Sequence, residues 1–492
     1  MAAACPPFVA SASLQRDKTV VLSATRSSQC PLNSDALPAM IVGNNFTRRA
    51  QIPTPWKLPG AKNIGVLEPG DHTVFVLDMR TKVPISNEAK LVVPGAASQG
   101  GPAADEWARA AFAGDVGALR TQMAAGRDPN QRLDGGTTAL VVNSQRGQAD
   151  VVKLLLAMKA DPEVAAISGD TALTMAAQNG HLAVVRSLLE RGADPNHAGQ
   201  AGDTALVNAA RNGHADVVRA LLGAKARVGQ TLSDGTTALH IAAGKGHGEV
   251  TKLLLAAGAS PNAKDADKFT PLHVAVQKGA PRSIVEALLA SGADVDARVS
   301  TGDTALFNAA ATGASGIVEA LLKAKGNPEL TGIQGATPLI MASQKGHTEV
   351  VRQLLAAKAS VDAKAAHGAN AMLMAAQGQH TEVVRALLQA GANVNAQADT
   401  GFSALVFAAG TGNAPMAREL IGRGANVNVQ ARNGATPLIV AAEGGHAAIV
   451  RMLLAAKADT RLRTTDGGTA LSVAKGNRRQ EVVQMLEAAM AK

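Results

Sequence analysis

Thr171-Ala-Leu-Thr-Met-Ala-Ala-Gln-Asn-Gly-His-Leu-Ala-Val-Val-Arg-Ser-Leu-Leu-Glu-Arg-Gly-Ala-Asp194 decides how the chain must be read. Thr171 is a helix N-cap, because its side-chain oxygen can accept one of the backbone N–H groups left unpaired in the first turn. A short alanine-rich helix follows and stops at Gly180, nine residues on, where glycine takes the left-handed conformation that ends a helix. Val184-Val185 and Leu188-Leu189 then give a second helix one apolar face. Gly192-Ala193-Asp194 closes it, and a polar stretch long enough for a hairpin finger leads on to Thr204. Neither helix can bury its apolar face alone, so a unit of this kind needs neighbours.

Neighbours are present on both sides. Thr-Ala-Leu or Thr-Pro-Leu begins at 138, 171, 204, 237, 270, 304, 337, 436 and 469. The spacing of 33 predicts two further starts at Asn370 and Ser403, and one before them at Asp105. All of these residue types are good N-caps. Pro271, Pro338 and Pro437 fall on the first helical position, where the missing N–H costs nothing. The expected fold is an all-α solenoid of twelve helix-turn-helix units with hairpin fingers over residues 105–492. The units start at 105, 138, 171, 204, 237, 270, 304, 337, 370, 403, 436 and 469.

The chain resembles the ankyrin repeat family. The resemblance rests on the 33-residue spacing, Thr-Pro-Leu-His at 270–273, Asn-Gly-His at 179–181 before Val184-Val185, and Gly-Ala-Asn-Val-Asn at 391–395. It implies helix pairs stacked in a curved row, with partners held by the fingers and the exposed side of each first helix. It implies no catalytic chemistry.

Three departures mark candidate weak points. The step from 270 to 304 is 34 residues, with Ala280-Pro281-Arg282 in the longer loop. The unit at Asn370 lacks both the threonine and the glycine at the end of its first helix, having Gln379 there, and Asn143-Ser144 replace the usual Ala-Ala. Five units carry lysine (159, 225, 325, 358 and 457) where glycine usually follows the second helix. A 99-residue period also links Thr301-Gly302 to Thr400-Gly401 and Gly335-Ala-Thr-Pro-Leu-Ile to the same run at 434. A duplicated block of three units follows, with similar surface patches expected about 30 Å apart, at roughly 10 Å per layer.

Composition agrees. Alanine numbers 100 and aromatics make up 2%, so the buried layers must be built from Ala, Leu and Val. The net charge of +9 is spread along the chain, with 10 Lys/Arg against 6 Asp/Glu in residues 1–104 and 38 against 33 beyond. A nucleic-acid binder concentrates basic charge on one face, so nucleic acid is not the expected partner. Cys5 and Cys30 make neither a disulfide framework nor a zinc cage, which favours an intracellular, soluble protein. No apolar run is long enough to span a membrane.

Residues 1–60 are rich in Ala, Ser and Pro and poor in acids, the composition of a disordered tail or an organelle transit peptide. The compartment is cytoplasmic on the first reading, and plastid or mitochondrion on the second. Residues 61–104 contain a short β-like segment, with strands expected around the turn Glu68-Pro-Gly-Asp71, and then a linker.

A search for chemistry gives little. His181, His214, His247, His347, His380 and His446 start second helices, while His240 and His273 are fourth in their motifs. Equivalent positions lie about 10 Å apart, too far to share a zinc ion whose ligands sit at about 2 Å. No phosphate loop, metalloprotease motif, nucleophile elbow or kinase signature occurs. No catalytic residue, cofactor, metal or small-molecule substrate is expected.

Function is therefore sought on the concave face. Seven and eight residues past each cap the first helix turns outward, and these positions hold five cations, one acid (Glu443) and many amides. Arg146, Arg211, Asn212, Lys245, Gln277, Lys278, Gln344 and Lys345, with Phe269 just ahead of its cap, are the candidate partner-binding residues. The reading is a non-enzymatic scaffold or adaptor, monomeric unless part of a complex. It holds one or more proteins through acidic or extended segments along units 4 to 8. Two alternatives stand beside it: an accessory subunit of a larger complex anchored by its N-terminal region, and a regulator of an enzyme or a nucleic-acid-associated factor.

Overall fold

The computed structural model describes residues 106–491, save Asp134 and Ala201. The expectations for residues 1–60 and 61–104, and for Asp105 as a cap, lie outside the described residues.

Among the described residues, twenty-four α-helices in strict alternation of first and second helix make twelve units, numbered 1 to 12 in chain order. The first helix of each unit has seven or eight residues and the second usually nine, as in Ala172–Gln178 and Leu182–Glu190 of unit 3. First helices pack on first helices and second on second along the row. No described helix is long and apolar enough to cross a membrane.

Every expected cap from unit 2 onward works as the chemistry requires. Thr171 accepts from the N–H of Thr174 at 3.3 Å, Ser403 from that of Val406 at 3.3 Å, and Asn370 from that of Leu373 at 2.9 Å. Asn370 is thus a sound cap and not a weak point. Gln379 adopts φ +62° in the glycine's place and keeps the helix end, with the backbone strain a side chain brings. The 34-residue step is absorbed by Pro281, which sits as the N-cap of Arg282–Ala290. Asn143 and Ser144 remain a defect. The Asn143 amide donates to the carbonyls of Ala111 and Ala139, but its Oδ1 and the Ser144 hydroxyl are buried without partners.

Small side chains set the spacing. Pairs such as Ala176-Ala177, Ala209-Ala210 and Ala408-Ala409 are fully buried between adjacent first helices, which lets the helices approach closely. Leucines and valines fill the layer between first and second helices, with Leu188, Leu221, Leu254 and Leu387 all buried.

Three kinds of polar tie cross the joints. At six joints a histidine starting the second helix bonds a carbonyl at the end of the preceding unit's first helix. His214 reaches Gln178 O at 3.0 Å and His380 reaches Gln344 O at 3.1 Å. The ring also covers the glycine that ends that helix. At Gly346 (φ +76°) an added Cβ would come within 2.5 Å of His380, so both backbone and packing require glycine. Where Arg479 replaces histidine it reaches the equivalent carbonyl of Glu443, and where Asn413 does so it reaches the carbonyl of Gln379, two residues further on.

A second tie runs under the fingers. Asn395 Oδ1 accepts the N–H of Asn426, and Asn428 Oδ1 accepts that of Asp459. Within most units the first polar residue of Gly-Ala-Asn-Val-Asn or its relative accepts the N–H of the second, as Asn393 Oδ1 does from Asn395. Gly229 has no side chain to continue this ladder to Ser260. The third tie joins neighbouring fingers, as when Ala266 N–H donates to Asp234 O and Ser300 N–H to Asp267 O. Between units 4 and 5 the first and third ties stand in for the missing rung.

The five lysines after the second helices all adopt left-handed backbone, with φ between 62° and 66°. A side chain in that conformation costs about 1 kcal/mol relative to glycine. A cation at a helix C-terminus recovers about 0.3–1 kcal/mol. Lys325→Gly or Lys358→Gly should therefore leave the urea midpoint unchanged or raise it slightly, and a clear loss of stability would contradict this balance. Leu254→Ala should cost about 2–5 kcal/mol. In an array of nearest-neighbour contacts the damage should stay near unit 5. Limited proteolysis should then cut within residues 204–303, and equal sensitivity along the whole array would be the opposing result.

Candidate protein-binding face

The face on which partners are expected is built by the last turn of each first helix and by the finger residue ahead of each cap. Among the sequence candidates the structure separates two groups. Arg146 is occupied: its guanidinium donates to the carbonyl of Phe112 and lies 5.8 Å from the centre of that ring. Arg211 pairs with Asp203 and donates to Asn208 Oδ1 at 2.8 Å. Asn212 donates to the carbonyls of Gln178 and Asn208. These three side chains bind the protein to itself.

Lys245, Gln277, Lys278, Gln344 and Lys345 are exposed. Among the described residues, none of these three lysines forms an ion pair. The cationic character of the face thus lies in units 5, 6 and 8. Phe269 is half-buried, edge-on to His273 with ring centres 6.0 Å apart.

An open pocket of about 430 Å³ lies at this place, between units 5 and 6. Phe269, Gln277 and Lys278 line it, together with Ile241, Val274 and the carboxylates Asp265 and Asp267, which the sequence reading did not single out. The signal was present in the repeat: Ile241 and Val274 both stand four residues past their caps, a position half-buried in both units.

His240 and His273 are structural. Each closes a capping box, with Nδ1 accepting the N–H of Thr237 or Thr270, and His240 Nε2 bonds the Phe269 carbonyl at 3.0 Å. Burial pushes both imidazoles below the usual histidine value, although carbonyl contacts and the nearby Asp265 oppose it.

The duplicated blocks keep their backbone but not their surface. Thr312 and Thr411, 99 residues apart, both donate to the carbonyl four residues earlier. Asp303 and Asn308 of the first block, however, become Phe402 and Phe407 in the second, stacked with centres 5.6 Å apart. The similar patches expected from the period are absent at these positions.

A family model described as ankyrin repeats, in three copies, matches residues 107–199, 196–265, 272–365, 306–398, 358–431 and 405–490. The chain therefore belongs to the ankyrin repeat family, whose repeats are generally modules of protein–protein interaction. No match was found among curated proteins.

The buried histidines carry a pH prediction. Above about pH 6.5 they are neutral in both states. Below it the unfolded chain takes up protons that the folded chain excludes, so stability falls as the pH falls. Thermal melting between pH 7 and pH 5 should show a steeper loss for the wild type than for a His240→Gln, His273→Gln variant. Equal slopes would assign the acid sensitivity to other groups.

Proposed function

We propose that this chain is a non-enzymatic scaffold that holds a protein partner along the concave face of units 4 to 8, residues 204–369. The observation that carries this reading is the set Lys245, Lys278 and Lys345. These are exposed cations at one helical position that form no ion pair among the described residues, and Lys278 lines the pocket at Phe269. Interface energy is usually concentrated in a few aromatic and cationic anchors, and this stretch presents both. The ligand is an extended protein segment rich in acids or amides. Charge steering then makes association slower and weaker as salt rises.

Lys245→Glu, Lys278→Glu and Lys345→Glu together should leave the circular dichroism and melting temperature unchanged, because the three side chains have no structural partners. Binding of partners recovered with the wild type should be lost at low salt. Equal binding by this variant would make the central face ordinary solvated surface.

A further inference from the structure

The pocket between units 5 and 6 has a polarity that its lysines alone do not suggest. Its floor is apolar: Ile241 and Val274 are half-buried and Phe269 stands at the back. Gly244 leaves room for this floor, since a Cβ there would come 2.6 Å from Val274 Cγ1. One rim is the first helix of unit 6 with Lys278. The opposite rim is the finger with Asp265 and Asp267. Asp265 Oδ1 accepts the N–H groups of Asp267 and Phe269 at 3.0 and 2.8 Å, which holds its carboxylate in place. Among the described residues, neither carboxylate forms an ion pair.

We propose that this pocket receives one long cationic side chain, arginine or lysine, from the partner segment. This rests on the concave face being the binding face and adds to it the chemistry of the bound segment. An apolar floor suits the methylene stem of such a side chain, which packs well on apolar surface while its head stays polar. The two carboxylates suit the head, through charge-assisted hydrogen bonds. Lys278 repels a second cation, so the head points toward the finger. An acid next to it in the partner then meets Lys278. The segment thus carries a basic residue beside an acidic one, and a uniformly acidic segment would leave Asp265 and Asp267 facing like charge.

The test is selection from a random dodecapeptide display library on the full-length wild-type chain. The selected peptides are then measured against Asp265→Asn, Asp267→Asn; Gly244→Ala; and the triple lysine variant. Asparagine keeps an acceptor for the finger N–H groups, so the finger is retained. Gly244→Ala crowds Val274 and narrows the pocket without changing its charge. Binders should carry Arg or Lys beside Asp or Glu, and both the asparagine and the alanine variants should weaken them by about tenfold or more. Replacing the peptide's basic residue with norleucine should weaken binding to the wild type and abolish the effect of the asparagines. Binders that need the three lysines but ignore the asparagine and Gly244→Ala changes would overturn the pocket assignment and leave the concave-face reading intact. Binders indifferent to every variant, or no binders at all, would overturn both.

Discussion

The alanine pairs between successive first helices are the contact on which everything else depends. Fully buried pairs such as Ala209-Ala210 and Ala375-Ala376 let neighbouring helices lie side by side with no side chain wedged between them. That spacing brings each starting histidine within reach of a carbonyl 36 residues earlier. It also brings each finger-base Asn or Asp within reach of the next unit's backbone. A bulkier residue at these positions would spread the row and break both ladders together. Each joint from units 2 and 3 to units 10 and 11 keeps at least two polar ties, that of units 6 and 7 through Asp296 to Asn327 N–H and Asp303 to Ile333 N–H where Ala314 replaces histidine, so local losses such as Gly229 or Pro281 do not interrupt the array.

This regular frame explains why chemistry is sparse and surface is varied. The six histidines that start second helices and most finger-base amides are used up in holding units together, and the caps in starting their own helices. What changes from unit to unit is the pair of residues at the end of the first helix and the one ahead of the cap. In the N-terminal half those positions bring Asp203 to Arg211, and the two neutralise each other. In the middle they leave Lys245 and Lys278 exposed, with Lys278 lining a pocket beside Phe269 and opposite Asp265 and Asp267. Further on they become Phe402 stacked on Phe407. One backbone thus offers distinct patches along a single face.

Much of the fold was legible because it is local and repeated. A cap, a glycine nine residues on and two apolar pairs define a unit without reference to any distant residue. The lysines at 159, 225, 325, 358 and 457 showed their left-handed backbone through position alone. Asn370 looked like a defect only because it departs from threonine, while its carbonyl oxygen caps as well as a hydroxyl. The site was less legible because it depends on pairs across units. Nothing within unit 2 says that Arg146 is held by the carbonyl of Phe112, 34 residues before it. The pocket likewise draws on the first helices of two units and the finger between them, so nothing within one unit singles out Asp265 and Asp267.

Native-state hydrogen exchange of the free chain, resolved unit by unit in mild denaturant, tests most directly whether stability passes only between neighbours. The account predicts opening free energies that rise from the terminal units toward the interior, with units 1 and 12 opening first and unit 2 weakened by Asn143 and Ser144. A single opening free energy shared by all twelve units would contradict it, and would mean that contacts beyond the nearest neighbour hold the solenoid together.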